Sequence, residues 1–293
     1  MLPELVRKNT GGNFITPLRY PGGKGRLGPW LAALLKYNNS SDGIYVEPYA
    51  GGAGAALYLL AKRHVERIII NDLDPAVYAF WWSIINRPSD FMDLFEDTSV
   101  DIESWERQRS IQKSPGSFEL LEVGFSTFFL NRTNRSGILE GGVIGGKAQN
   151  GKYLIDARFN KANLKARLLD VIDLGRKITL YNADAIDIIE GICGDLSAND
   201  LIYFDPPYYN KGGQLYRNHY EPDDHYRISH AIRGLSTPWL VTYDSCPEIH
   251  ELYRDEESVE FSLCYSTHSQ RKKSTEIMIY KNISLHEAPT LHR

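Results

Sequence analysis

Leu201-Ile202-Tyr203-Phe204-Asp205-Pro206-Pro207-Tyr208 is the stretch whose reading decides the fold. The four apolar residues read as a buried strand. Two prolines cannot continue a ladder, so the strand stops there. That sets an acid and an aromatic ring at the carboxyl end of a strand, where open α/β sheets bind their ligands. Asp205 and the carbonyl of Pro206 can accept hydrogen bonds. The prolines stiffen the loop without an N–H to satisfy, and the Tyr208 ring offers a flat face for stacking. The set suits an exocyclic amine on a planar heterocycle. Taken alone, it also reads as a proline-terminated strand before an ordinary loop.

Upstream, Ile44-Tyr45-Val46 opens a strand that runs into Glu47-Pro48-Tyr49-Ala50-Gly51-Gly52-Ala53-Gly54, a tight small-residue turn, with a helix expected over Ala55 to His64. Small residues there let a ligand approach the backbone. No Gly-Lys-Ser/Thr follows, so this is not a Walker A loop. A second strand, Arg67 to Ile70, ends in Asn71-Asp72-Leu73-Asp74-Pro75. Asp72 stands where Rossmann-like folds bind ribose hydroxyls, and it also reads as a cap. Asp74 reads as the N-cap of a helix over Ala76 to Ile85. Before all of these, Tyr20-Pro21-Gly22-Gly23-Lys24 makes a turn opening a helix over Leu27 to Tyr37. Its free N–H groups and Lys24 could hold a carboxylate or phosphate, or it is a surface turn.

Strand–helix alternation stops between Arg87 and about Arg176, where helices are expected over Asp101 to Ile111 and Phe118 to Leu130. Asn131-Arg132-Thr133-Asn134-Arg135-Ser136 and a glycine-rich run follow. Residues 131–167 carry eight basic and two acidic side chains within a chain of net charge -4. This bias suggests an inserted module that meets phosphates, against the alternative of a solvated helix with a capping cluster. Alternation resumes with a strand over Lys177 to Tyr181. Asp184 then reads either as a cap or as a contact to an adenine amine. After Tyr208 comes a long polar and aromatic loop, Tyr209 to Asp224, of the kind often found at sites. A helix over His225 to Leu235, a strand over Trp239 to Tyr243, a short helix from Pro247 and a closing strand pair over Val259 to Ser266 and Glu276 to Lys281 complete the chain.

Composition bounds the reading. At 293 residues and 42% hydrophobic, the chain can build one large α/β domain with an insert. No apolar run approaches the ~18 residues of a membrane span. Cys193, Cys246 and Cys264 form no CxxC, and Met1 to Gly12 holds no apolar signal core. A cytoplasmic protein without membrane partners, disulfide framework or metal site is therefore expected.

Four signals stand in one order: Tyr-Pro-Gly-Gly-Lys, Glu-Pro-Tyr-Ala-Gly-Gly, Asn-Asp-Leu-Asp and Asp-Pro-Pro-Tyr, with a basic insert between the last two. The combination resembles the Dam-like class of DNA adenine-N6 methyltransferases, from about Pro17 to Tyr280. That resemblance implies an α/β Rossmann-like methyltransferase fold with a seven-stranded mixed sheet and one antiparallel strand. The catalytic domain would span 13–86 and 176–283, with a mainly helical target-recognition subdomain inserted over 87–175. It implies S-adenosylmethionine as cofactor and double-stranded DNA as partner. A cognate restriction enzyme is left open, and a monomer or weak dimer is expected. Tyr20 and Lys24 would hold the cofactor's amino-acid end, with Glu47, Pro48, Tyr49, Gly51 and Gly52 beneath it. Asp72 would take the ribose hydroxyls, and Asp184 would lie near the adenine amine. Asp205, Pro206, Pro207 and Tyr208 would receive the target base, with Asp205 also bordering the cofactor. Asn131, Arg132, Thr133, Asn134, Arg135 and Ser136 of the insert, and Lys211, Tyr216 and Asn218 of the long loop, would meet DNA. Two positions depart from the family pattern. Tyr49 replaces a phenylalanine, and Gly51-Gly52-Ala53 replaces Gly-x-Gly, which Ala53 fits where its φ is not positive. RNA methylation, and a DNA-binding relative without the chemistry, are the alternatives.

Overall fold

The computed structural model describes residues 16–20, 23–210, 220–264 and 273–289. Lys211, Tyr216 and Asn218 lie outside these residues, as do Pro21 and Gly22. Seven strands form one sheet in the order β3-β2-β1-β4-β5-β7-β6. They are β1 (Ile44–Glu47), β2 (Arg67–Asn71), β3 (Ile178–Tyr181), β4 (Leu201–Phe204), β5 (Trp239–Asp244), β6 (Glu257–Cys264) and β7 (Lys273–Lys281). β1 to β5 pair in parallel, and β7 runs antiparallel to both of its neighbours, β5 and β6. The sheet is therefore mixed, as the motif order implies.

Parallel strands covered on both faces show near-continuous apolar runs whose alternate residues feed different cores. Tyr45, Ile68, Ile70, Leu201, Tyr203 and Leu240 enter one core, while Val46, Ile69, Ile202, Phe204 and Val241 enter the other. The first core is covered by α1 (Gly28–Tyr37), α2 (Gly54–Ala61) and α3 (Pro75–Asn86). The second lies under α8 (Ala185–Gly191), α9 (Pro222–Arg233) and α10 (Pro247–Leu252). Pro75, Pro222 and Pro247 occupy first helical positions, where a missing N–H costs nothing. Asp74 and Asp184 cap α3 and α8 by accepting from the amides of Ala76 and Ile186.

Between α3 and β3 the chain is helical: α4 (Pro88–Asp97), α5 (Ile102–Lys113), α6 (Leu120–Thr133) and α7 (Lys161–Leu174), with short 3₁₀ turns. Sequence periodicity shows α5 and α6 but not α4 and α7. α4 is acidic and buries only Phe91 and Phe95. α7 buries only Leu164, Leu168 and Val171, so its apolar stripe is too narrow to stand out. Phe91, Phe95, Phe125, Phe128, Phe129 and Phe159 join Phe80 and Trp81 in the core that also covers the sheet. α6 lies close on α3 because Gly124 has no side chain: a Cβ there would come within 2.3 Å of the Ala79 carbonyl oxygen. No helix among the described residues is long and apolar enough to cross a membrane.

Candidate active site

Where β1, β2 and β4 end, their loops enclose a cleft of about 250 Å³. Tyr20, Lys24, Glu47, Pro48, Tyr49, Gly52, Asp72, Asp205 and Pro207 line it, so the structure brings together residues from four separate motifs. Its titratable lining is lopsided: among the described residues, Glu47, Asp72, Asp74 and Asp205 face one cation, Lys24.

Asp72 anchors the glycine turn after β1. Its Oδ2 accepts the Gly51 amide at 2.7 Å and its Oδ1 the Asp74 amide at 2.9 Å, so it fixes the glycine turn and starts α3 at once. Burial raises its pKa to about 7 despite these bonds. Gly51 stands at φ +47°, and a Cβ there would strike the Tyr20 ring at 2.7 Å. Tyr20 thus lies directly on the turn. Ala53 also takes a left-handed conformation, φ +45°, contrary to the expectation of a non-positive angle. It is the N-cap of α2, and its amide bonds to the Ala50 carbonyl at 2.6 Å. The cap that Ala53 lacks comes from β1: Glu47 Oε1 accepts the Ala56 amide at 3.1 Å. Burial pushes the Glu47 carboxyl up to about 8.

Sequence reasoning passed over Asn71. This buried side chain donates to the carbonyls of Pro48 and Ala183 and accepts the Ala183 amide, joining the loops after β1, β2 and β3. Asp184, beside it, is occupied as a helix cap and does not line the cleft.

Asp205, at the end of β4, is held on two sides. Lys24 Nζ lies 2.8 and 3.0 Å from its two oxygens, and the Thr242 hydroxyl donates to Oδ1 at 2.8 Å. Thr242 is fixed in turn by the Tyr203 hydroxyl at 2.8 Å. Lys24 also donates to the Tyr208 hydroxyl at 2.9 Å and stands 3.7 Å from Glu276 Oε2. Burial works against the Lys24 charge, but the Asp205 and Glu276 carboxylates outweigh it and hold the pKa above the ordinary lysine value. Tyr208 differs from its expected placement. It is buried, and its hydroxyl donates to Glu276 Oε1, so the ring does not line the cleft. Pro206 is buried as well. Glu276 was not legible in the sequence, because β7 reads only as a closing strand. Antiparallel pairing sets it opposite Asp244. Asp244 is a second missed residue, accepting the amides of Tyr209 and Asn210 and thereby fixing the exit of the Asp-Pro-Pro-Tyr loop. On the same side the Tyr49 and Tyr220 hydroxyls bond at 2.8 Å, and Tyr220 packs edge-on against the buried His225.

The expected DNA contacts divide sharply. Asn131 bonds to both backbone groups of Arg19, Arg132 donates to the Pro17 carbonyl, and Asn134 accepts from Trp105 Nε1 while donating to the carbonyls of Ile138 and Leu139. Thr133 bonds to the Phe129 carbonyl. All four are buried: Asn131 and Arg132 tie α6 to the segment leading into Tyr20, while Thr133 and Asn134 bond within the helical region, so none offers its side chain to a duplex. Of the six, only Arg135 and Ser136 are exposed. The charge bias of residues 131–167 is also partly cancelled by acids outside that window: Lys147 pairs with Glu106, and Lys161 and Lys165 pair with Glu96. Arg109, Lys113, Arg135 and Lys147, with Glu106 among them, line a groove at Trp105 that combines α5 with the basic window. Arg109 and Lys147 sit 5.1 and 5.8 Å from the indole ring, preorganised by cation–π contact.

A doubly wound sheet with an acidic cleft at its strand ends and an Asp-Pro-Pro-Tyr corner defines a methyltransferase-like α/β enzyme. Residues 20–268 match the D12 class N6 adenine-specific DNA methyltransferases, and the chain belongs to that family. It is 24% identical over 237 residues to the type II methyltransferase M.MjaIII of Methanocaldococcus jannaschii, covering 74% of this chain and 79% of that protein. Among solved structures it is similar to a SAM-dependent methyltransferase from Agrobacterium tumefaciens, with a TM-score of 0.43, 11% identity and coverage of 88% and 62% of the two chains. It is also similar to the rRNA methyltransferase AviRa from Streptomyces viridochromogenes, with a TM-score of 0.34, 13% identity and coverage of 85% and 82%. Family membership makes this an adenine-specific DNA methyltransferase.

Proposed function

We propose that the enzyme methylates the N6 amine of adenine in double-stranded DNA, using S-adenosylmethionine and a base turned out of the helix. The observation that carries this reading is Asp205. It is a carboxylate fixed at the carboxyl end of β4, bordering a cleft whose other acids outnumber its lysine. The cleft suits the cofactor by its acceptor set: a net positive ligand bearing ribose hydroxyls meets Asp72 and Asp205, and Tyr20 covers the glycine turn. When bound, the cofactor supplies an electrophilic methyl group on a sulfonium.

The protein's part is positioning and electrostatics. The N6 lone pair is delocalised into the ring and is a poor nucleophile. Asp205 and the Pro206 carbonyl, as acceptors for the two N6 hydrogens, draw the nitrogen towards sp3 geometry and aim its lone pair at the methyl carbon. As N6 takes the methyl group that the bound cofactor would supply, Asp205 is placed to accept the proton that N6 must lose. An adenine inside a duplex is out of reach, so the base must leave the stack. Tyr208 can stack on it once its ring turns away from Glu276. In this reading the groove around Trp105 holds DNA phosphates, in place of Asn131, Arg132, Thr133 and Asn134. The test is transfer of labelled methyl from S-adenosylmethionine to unmethylated duplex, with Asp205→Ala beside the wild type. Label on adenine N6 with wild type alone is expected. Label entering RNA and not duplex, or full activity in Asp205→Ala, would overturn the reading.

A further inference from the structure

Two carboxylates, the half-buried Asp205 and the fully buried Glu276, share one lysine in this site. Asp205 holds Lys24 at 2.8 and 3.0 Å, while Glu276, fully buried on β7, holds the Tyr208 hydroxyl and stands 3.7 Å from the same ammonium. The ammonium of Lys24 thus sits on the acceptor that an N6 amine requires, and the Tyr208 ring is tucked inward. In this arrangement Lys24 competes for Asp205 and the Tyr208 ring presents no face to the cleft.

We infer that Glu276 is a positioning residue that takes Lys24 from Asp205 when the target base enters. The inference rests on the function proposed above. Two exchanges are coupled. Lys24 shifts by about an ångström to pair with Glu276, which leaves Asp205 to the entering amine. Glu276 gives up the Tyr208 hydroxyl, and the ring is released towards the base. Lys24 stays next to a carboxylate throughout. This matters because a buried charge left without a partner is strongly destabilising. Thr242 keeps its bond to Asp205 during the exchange, so the acceptor does not move with its lysine. Glu276 needs to touch neither cofactor nor base.

The experiment measures turnover on duplex DNA at saturating cofactor for wild type, Glu276→Gln, Lys24→Gln and the double variant, with calorimetric cofactor binding for each. Glu276→Gln removes the carboxylate that would receive Lys24, so kcat falls roughly tenfold or more, about 1.4 kcal/mol of barrier. Cofactor affinity in that variant is kept. In the Lys24→Gln background the same change has no further effect, because no lysine remains to be moved. Costs that multiply in the double variant, or loss of cofactor binding in Glu276→Gln, would make Glu276 merely structural. Tyr208→Phe is the second check. It lacks the hydroxyl that Glu276 holds, so KM for DNA falls, and an unchanged or higher KM overturns the coupling. A wild type that transfers no methyl to adenine overturns the underlying function and this inference with it. An active wild type with multiplicative variants overturns the inference alone.

Discussion

Cofactor affinity should weaken as pH falls, and Asp72 sets the size of the effect. Its carboxyl is buried with a pKa of about 7, so in the free protein it is half ionised at pH 7. Ribose hydroxyls donate more strongly to a carboxylate than to a carboxylic acid, so binding selects the ionised form and releases a proton. At pH 6 about one-tenth of Asp72 is ionised, so Kd rises about fivefold from its value at pH 7, and about fifteenfold at pH 5.5. Calorimetry at pH 6.5 in two buffers of different ionisation enthalpy should register release of about three-quarters of a proton. Asp72→Asn removes the titrating group and flattens both readings. Stability carries the opposite sign. A folded pKa above the ordinary carboxylate value means a stability contribution that is whole at low pH and lost as pH rises through about 7. The free protein should therefore melt lower at pH 8 than at pH 5.5, and the cofactor-induced rise in Tm should grow over the same interval. A Kd independent of pH, or a slope that survives in Asp72→Asn, would refute the reasoning.

Arg109→Ala combined with Lys113→Ala should lower the slope of log K for duplex binding against log salt by about 2, near 0.9 for each phosphate that is no longer neutralised, while cofactor affinity stays constant. Fluorescence anisotropy in a salt series reads this, and an unchanged slope would remove the groove from the DNA surface. Glu47→Gln should leave Tm close to wild type near pH 4, where the carboxyl is protonated in folded and unfolded chains alike, and should raise it relative to wild type as pH climbs through 7 to about 8, because the wild-type carboxyl must be neutralised on folding. Gly124→Ala should cost about 1–3 kcal/mol in denaturant unfolding, because the added methyl meets the α3 backbone and cannot be relieved by a side-chain shift. Asn71→Ala should cost about 3 kcal/mol by removing three bonds to loop backbone.

Legibility in the sequence varied with the range of the forces involved. Local rules located the strand ends well. Prolines after Phe204 stop β4, Asp74-Pro75 starts α3, and small residues after Glu47 make a turn. Asp184 was legible as a cap from its place before a short helix, and the structure shows that bond. Asn131, Arg132, Thr133 and Asn134 were read outward because their side-chain types contact phosphates and bases elsewhere. Those same amide, guanidinium and hydroxyl groups satisfy backbone carbonyls equally well, and only packing decides which partner they find. Ala53 went the other way: the tight turn closed by its amide on the Ala50 carbonyl carries it to φ +45°.

Sequence by itself determined the order of strands and turns, the acid at the end of β4 and the family, because prolines, glycines and apolar runs act over a few residues. Tertiary structure decided which carboxylates share Lys24, where the cations form a groove, and that Glu276 and Asp244 belong to the site. Those pairings join residues up to about 250 positions apart in the chain. The place of Glu276 beside Asp244 follows from β7 inserting antiparallel between β5 and β6, a choice of register that is energetically global and leaves no local mark on the residues that carry it.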